Sequence, residues 1–510
     1  MKQLMLCALA IAGLAYGQTP AIEWQKFYGG TKDDDVISIR QTSDGGYIFI
    51  GDSDSNNGDL TSNNGKKDFW VVKSNPLGAI QWQRSLGGSQ DEEAHSIRQT
   101  ADGGYIIAGE TNSNDGDVTG NHGGTDAWIV KLNQNGDLVW QKTYGGSNSD
   151  SANFIEPTGD GGYIVAGDSN SNNGDLTQNK GSYDAWVFKI SSDGTLEWQK
   201  NYGGTAYEGA EYIQNTSDGG YIVAATTTSN NGDLTSNHGD FDYWFIKLNS
   251  AGNIEGQKTY GGTGMDQPYA IHQTLDGGYI ASGRSNTPNN GDVTGNHGQF
   301  DYWIVKVSNT GDLIWQKSLG GTNSDYGRFS QPTLDGGYIV AGYSNSNNGN
   351  VSGNNGGFDC WIAKLNETGT IEWQKSLGGM GYDWGRSLTE TEDGGFVIAL
   401  GSKSTNISAG THHGNNDVLL IKLERNGSLS TSETSLKKDS TVAPNPSNGY
   451  FTINHLFNNS SLEVYSLTGK LIQKVKNISG KSYSIDISNQ PTGAYIIRID
   501  NLITLKLIKK

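Results

Sequence analysis

Cysteine is nearly missing from this 510-residue chain, which holds only Cys7 and Cys360. Cys7 lies inside the short apolar run MKQLMLCALAIAGLAYG, which reads as a signal peptide over residues 1–17 with cleavage before Gln18. The mature chain would keep one thiol, which excludes an internal disulfide. Because Cys7 sits within the apolar run rather than after it, a lipoprotein is not expected. Long hydrophobic runs are missing too. Past the leader no stretch reaches 18 apolar residues, so no membrane-spanning helix is expected. Positive charge is scarce: 36 Lys+Arg against 54 Asp+Glu leave a net −18. Nucleic acids and anionic membranes need a basic footprint, so neither is an expected partner. The deficit is uneven, with +6 over Lys437–Lys510 and −24 over the remainder.

Glycine is what the chain has in excess, 73 residues of it, together with Asn and aromatics. That composition predicts an all-β chain with many turns. Apolar runs such as GYIIAG and AWIVKL argue against disorder. An Asp-Gly-Gly-aromatic signature recurs at Asp44, Asp102, Asp160, Asp218, Asp276, Asp335 and Asp393, in steps of 58 residues with one step of 59. Seven copies at this period announce a repeat architecture.

Each period contains four strand-like runs, A to D, separated by turn signals. In the second repeat they begin at His95, Gly104, Ala127 and Leu138. The Asp-Gly-Gly signature forms the A–B turn, and Asn135-Gly136 forms the C–D turn. Four antiparallel strands per repeat make one propeller blade. A Trp recurs in strand C at 70, 128, 186, 244, 303 and 361. Another recurs in strand D at 24, 82, 140, 198, 315 and 373, with Gly256 breaking the series. Such regularity marks packing groups between blades. The hairpin KLNQNGDLVWQK resembles the Trp-docking hairpin of quinoprotein-type propellers, a likeness that concerns packing and carries no cofactor.

The two ends of the repeat region are complementary. The mature chain opens with a lone D strand, IEWQKFYGG from Ile22, while the last repeat ends after its C strand. Joining them removes the exposed edges of an open array. Residues 18–425 are therefore read as a seven-bladed β-propeller latched by its N-terminal strand. An open solenoid is the alternative.

Two columns of residues are candidates for a site. Ten residues before each turn Asp stands an acid: Asp34, Glu92, Asp150, Glu208, Asp266, Asp325 and Asp383. Closure would set them as a carboxylate ring at one channel mouth, where Ca²⁺ is the candidate cation. The competing reading, favoured by strict repetition, is that each accepts backbone N–H groups in its own loop. The stretch Asp52–Asp59 has a superficial likeness to a calcium loop, but its Gly is misplaced and the closing Glu is missing. His122, His238, His297 and His413 stand singly, and no zinc cluster is visible. The second column, seven residues before each turn Asp, varies: Ile37, His95, Asn153, Glu211, Tyr269, Arg328 and Arg386. Arg284, Tyr326 and Trp384 are expected close by. Mixed aromatic, cationic and acidic groups at a concave mouth suit a sugar or a peptide. Ordinary drift at exposed strand ends is the bland alternative. No nucleophile with its base, isolated carboxylate pair or metal cluster is recognisable, so no catalytic residue and no cofactor is assigned.

Residues 426–441 read as a Ser/Thr/Lys-rich linker, and 442–510 as a small Ig-like β-sandwich. Pro444-Asn445-Pro446, the hairpin from Val464 through Gly469-Lys470, Pro491-Thr-Gly493-Ala-Tyr495 and a basic end follow in order. This tail resembles the C-terminal sorting domain of the type IX secretion system of Bacteroidota. The resemblance implies passage through the periplasm and across the outer membrane, with the secretion machinery as partner and a secreted or cell-surface destination. The repeat region is similar to Gly/Asn-rich repeat proteins that carry such tails. The expected protein is a monomeric, exported binding or adhesion module for a glycan or a surface protein. An extracellular carbohydrate-active enzyme (a lyase or hydrolase) is the alternative, and a purely structural surface protein the third reading.

Overall fold

The computed structural model describes residues 19–425 and, further on, 441–443, 447–454, 460–466, 471–478, 480, 482–499 and 503–509. The expected leader, linker residues 426–440, and Pro444, Asn445, Pro446, Gly469 and Lys470 lie outside the described residues. The chain divides into two compact units, Met1–Ser428 and Leu429–Lys510.

The first unit is a seven-bladed β-propeller. Each blade is a four-stranded antiparallel sheet in the order A-B-C-D. Blade 2, for example, comprises Glu92–Gln99, Tyr105–Thr111, Asp126–Leu132 and Leu138–Tyr144. Each A strand touches the A strands of both neighbouring blades, and that of blade 7 touches that of blade 1, so the ring is closed. Blade 7 takes its D strand from the N-terminus: Ile22–Tyr28 pairs antiparallel with Asp417–Leu423, Trp24 opposite Lys422 and Tyr28 opposite Val418.

Local chemistry explains why every period folds alike. At the A–B turn of blade 2, Asp102 accepts the Thr100 hydroxyl and, at 3.0 Å, the Gly104 N–H. Gly103 between them has φ +81°, which only glycine adopts freely. The strand-C lysine reaches the same carboxylate, Lys131 Nζ lying 3.0 Å from Asp102 Oδ2. All seven blades repeat this Lys–Asp pair. The Thr100 hydroxyl, opposed by burial and aided by Gly104 N–H and Lys131, draws the Asp102 carboxyl down to about 2. The lysine stem lies among apolar strands while its head reaches the turn.

Strands B and C are buried on both faces, and blades share their cores. Ile48, Ile50 and Val71 of blade 1 pack with Ile107, Trp128 and Val130 of blade 2. The strand-D Trp docks on the aromatic that opens strand B of the next blade, with ring centroids 5.6–6.4 Å apart at six seams. The C–D turn of that next blade closes over the indole. A methyl group at Gly136 would lie 2.7 Å from Trp82 Cε3.

The second unit has a three-stranded sheet (Thr441–Ala443, Tyr450–Asn454, Ser482–Asp486) and a four-stranded one (Ser460–Ser466, Leu471–Ile478, Gly493–Ile499, Ile503–Lys509). Phe451, Ile453 and Ile485 of the first share a core with Leu462, Val464, Tyr495, Ile497 and Leu507 of the second, giving a small β-sandwich. Tyr495 is a core residue whose hydroxyl donates to the Pro491 carbonyl at 2.6 Å. Gly493 opens the strand that carries it. No helix among the described residues is long and apolar enough to cross a membrane.

Candidate functional site

Strand A is not a regular strand. In five blades its ladder with strand B skips one residue, and the residue skipped is His95, Glu211, Tyr269, Arg328 or Arg386. In blades 1 and 3 the equivalent Ile37 and Asn153 directly precede the strand, their N–H groups bonding Ile50 and Ala166 carbonyls at 2.9 and 2.8 Å. A bulge bends the strand and re-aims the extra side chain. Here all seven side chains of the variable column line one cavity of about 240 Å³ at the propeller axis. A larger depression, about 570 Å³, is bordered by Asp160, Lys189, Trp198 and Tyr221, residue types that recur in other blades. It belongs to the blade, whereas the axial pit has no repeat.

The pit has a floor. Arg40 reaches from blade 1 past blade 7 to the Phe329 ring of blade 6, 5.5 Å from its centroid. Arg98 donates to Glu156 at 2.8 Å and covers Phe154 at 4.3 Å. The Phe154 and Tyr212 rings lie against each other at a tilt of 35°, and Tyr212 Oη lies 2.8 Å from His272 Nε2. Burial, then the charges of Arg40 and Arg98, drive the His272 pKa down to about 3, so the imidazole is neutral.

The walls divide by charge. Blades 1–4 contribute His95 and Glu211 to the lining, with Asp35, Asp52, Glu110 and Asp168 behind them, whereas blades 5–7 contribute Tyr269, Arg328 and Arg386, with Arg284 and Tyr343 behind them. Arg328 lies 4.2 Å over the Tyr269 ring and donates to Tyr343 Oη at 3.0 Å. Arg386 pairs with Asp35 at 2.9 Å across the blade 7–blade 1 seam. Burial, reinforced by Asp168 and opposed by Arg328, pushes the Glu211 carboxyl up to about 7. Burial likewise lifts Asp52 to about 7, against the Ala94 N–H and His95. His95 is also desolvated, but Glu110, Asp52 and Glu93 outweigh this and raise its pKa. Its Nε2 stands 3.9 Å from Glu110, an ion pair rather than a hydrogen bond. Arg328 Nε, Arg386 Nε and His95 Nε2 are buried without a hydrogen-bond partner.

Of the candidates read from sequence, His95, Glu211, Tyr269, Arg328 and Arg386 therefore converge. Arg284 stands one step out, held by Gln267 at 2.9 Å and packed on Phe300, Tyr326 and Tyr269. Trp384 lies apart from the cavity lining, stacked on Tyr382 with Lys403 over its face. Asp52, Glu110, Asp168 and Tyr343 were missed. They share a column with Arg284, eight residues after each turn Asp, whose variation was an available signal.

The expected carboxylate ring does not line the channel. Asp34, Glu92, Asp150, Glu208, Asp266, Asp325 and Asp383 are 0–1% exposed. Each accepts a glycine N–H of its own D–A loop at 2.6–2.8 Å. Each also takes a Ser or Thr hydroxyl. A buried carboxylate is retained by such donors, which turns it inward rather than to the axis. His122, His238 and His297 each cap an Asp of their own loop at 2.6–2.8 Å. Among the described residues no three His, Cys, Asp or Glu gather round one point.

Comparison with known proteins places the C-terminal unit. Residues 441–510 match the secretion system C-terminal sorting domain family. The chain is thereby a substrate of type IX secretion, exported to the cell surface or secreted. Over the whole chain, the regulatory protein FlaEY of Caulobacter vibrioides is 22% identical across 492 residues, covering 84% of this chain. This chain matches only 50% of that relative's length. Among solved structures, a fungal alcohol oxidase with copper is similar with a TM-score of 0.48 at 9% identity, covering 97% of this chain and all of its own. PorZ, a surface component of the type IX secretion system of Porphyromonas gingivalis, gives a TM-score of 0.39 at 12% identity, covering 95% of this chain and 60% of its own. None of these whole-chain likenesses brings a ligand or an activity with it.

Proposed function

We propose that this exported propeller is a binding module of the cell surface or its surroundings, and that the axial pit takes a glycan carrying a carboxylate or sulfate group. The observation behind this reading is the convergence of seven side chains of six types on one pit, five of them at bulged positions, where Arg328 and Arg386 keep buried Nε–H groups unpartnered. Unpaired guanidinium donors are costly when buried, and an anionic oxygen would satisfy them. Tyr269 offers an aromatic face of the kind sugars stack on. In this reading Bacteroidota is the source and a monomer the working state.

The test is a panel of acidic and neutral glycans presented to the full mature chain, beside an Arg328→Ala variant. Binding confined to acidic glycans and weakened at least about tenfold in the variant would support the reading. A blank panel would leave a protein partner or a purely structural role. A second reading, a carbohydrate-active enzyme, draws on Glu211, a carboxyl that titrates near neutrality inside the pit. Mass spectrometry of the incubated glycans separates the two. Cleaved products that vanish in Glu211→Gln would favour the enzyme.

A further inference from the structure

Every blade meets the next through two acids, the first residue of its own strand C and the acid at the entry to the next strand A. Between blades 2 and 3 these are Asp126 and Asp150, 0% and 1% exposed. Asp126 Oδ2 accepts the His122 N–H at 2.8 Å and lies 2.6 Å from His122 Nδ1. Asp150 Oδ2 accepts from Gly146 N at 2.7 Å and Ser171 Oγ at 2.8 Å. Asp126 Oδ1 is buried and has no hydrogen-bond partner. It faces the same point as Asp150 Oδ2, since a methyl group on Gly145 would stand 2.8 Å from both oxygens. A third carboxylate, Asp175, accepts the Gly145 N–H at 3.1 Å.

This geometry is not an accident of one seam. Oδ1 of Asp68, Asp184, Asp242, Asp301 and Asp359 is also buried without a partner. Each converges with the next blade's carboxylate on the corresponding glycine. Only the closing seam differs, where Asp417 Oδ1 accepts the Gly414 N–H at 3.1 Å. Two facing carboxylates removed from water repel each other, and an oxygen without a donor forfeits its hydration. A counter-charge at the point where they meet would offset both costs.

We propose that each of these six seams binds a hard divalent cation, with Ca²⁺ the fitting ion, which bridges the unpartnered strand-C Asp oxygen and the strand-A carboxylate and so staples neighbouring blades. All-oxygen donors select such an ion over softer metals. Two carboxylates rather than a cluster of three or more leave the remaining positions to carbonyl groups and water, which Ca²⁺ accepts in flexible geometry. The axial pit takes no part, so the proposal stands independently of the glycan reading.

The experiment uses the full mature chain, stripped with EDTA, reloaded with Ca²⁺ and gel-filtered. Metal content is read by plasma mass spectrometry and unfolding by calorimetry. The expected result is close to six Ca²⁺ per chain, matching the six unpartnered strand-C Asp oxygens, and a Tm that rises on reloading. Asp126→Asn and Asp242→Asn should each lower the content by one. The proposal is overturned if no metal co-elutes and Tm is indifferent to Ca²⁺ and EDTA, leaving a shared proton as the counter-charge. It is equally overturned if both variants fold and keep the full metal content. Should a variant fail to fold, the stoichiometry and Tm response of the unaltered chain decide.

Discussion

Two positions three residues apart where the chain enters strand A behave in opposite ways. At the seam position, Asp150 in blade 3, every blade has an acid, and each is held by the same glycine N–H. At the pit position, Asn153 in that blade, the seven residues include apolar, aromatic, acidic and cationic types. The seam residue meets its neighbour in the same geometry at six of the seven seams, so one chemistry serves nearly throughout. The pit residues share a single axial cavity of about 240 Å³. Seven equal charges there would repel one another at short range, and seven copies of one shape would offer no specific site. Uniformity therefore marks what builds the propeller, and variation marks what it can recognise.

The largest break of the uniform half comes from removing the closing strand, Ile22–Gly30. Blade 7 would lose the buried Phe27 and Tyr28, each contributing about 1.5–3 kcal/mol, and would expose a strand edge. We expect Tm to fall by more than about 10 °C in calorimetry; an unchanged transition would speak for an open array. Gly145→Ala comes next. Its methyl group would press on Asp126 and Asp150, costing about 1–3 kcal/mol in denaturant unfolding. Gly159→Ala, with nothing within 4 Å of the added carbon, should stay within about 0.5 kcal/mol.

A smaller effect tests whether repeat residues are interchangeable between blades. Gly256 occupies the strand-D position that is Trp in the other six blades, and open space surrounds it. Gly256→Trp should dock on Tyr279 and stabilise the protein by about 1–2 kcal/mol. Unchanged or lower stability would show that this blade has diverged beyond the repeat. The smallest effect lies in the pit. Glu211 binds its proton more tightly in the folded state, so its ionisation withdraws stability as pH rises from about 4.5 to about 7. Glu211→Gln should therefore melt about 1–3 °C above the unaltered protein at pH 8 and level with it near pH 4. A difference that does not depend on pH would remove the desolvated carboxyl from the account.

Sequence by itself determined the repeat, the four strands, the closing latch and the sorting tail. Each is written in local chemistry: Thr100-Ala-Asp102-Gly103-Gly104 forms its turn from its own donors and acceptors, and Ile22–Tyr28 is visibly a D strand without its partners. The seven-residue offset that leads to Arg328 and Glu211 was legible for the same reason, since blades within one chain can be compared. What it could not convey was direction. Only the folded ladder shows that these residues are bulged and therefore aimed at the axis. It likewise turns the seven acids inward to glycine N–H groups, where sequence allowed a ring around the channel. The meeting of Asp126 with Asp150 across a seam was equally hidden, because each acid is placed by a different blade. Strand period and turn type are set by neighbours along the chain, whereas side-chain direction at a bulge and contacts between blades exist only once the ring has closed.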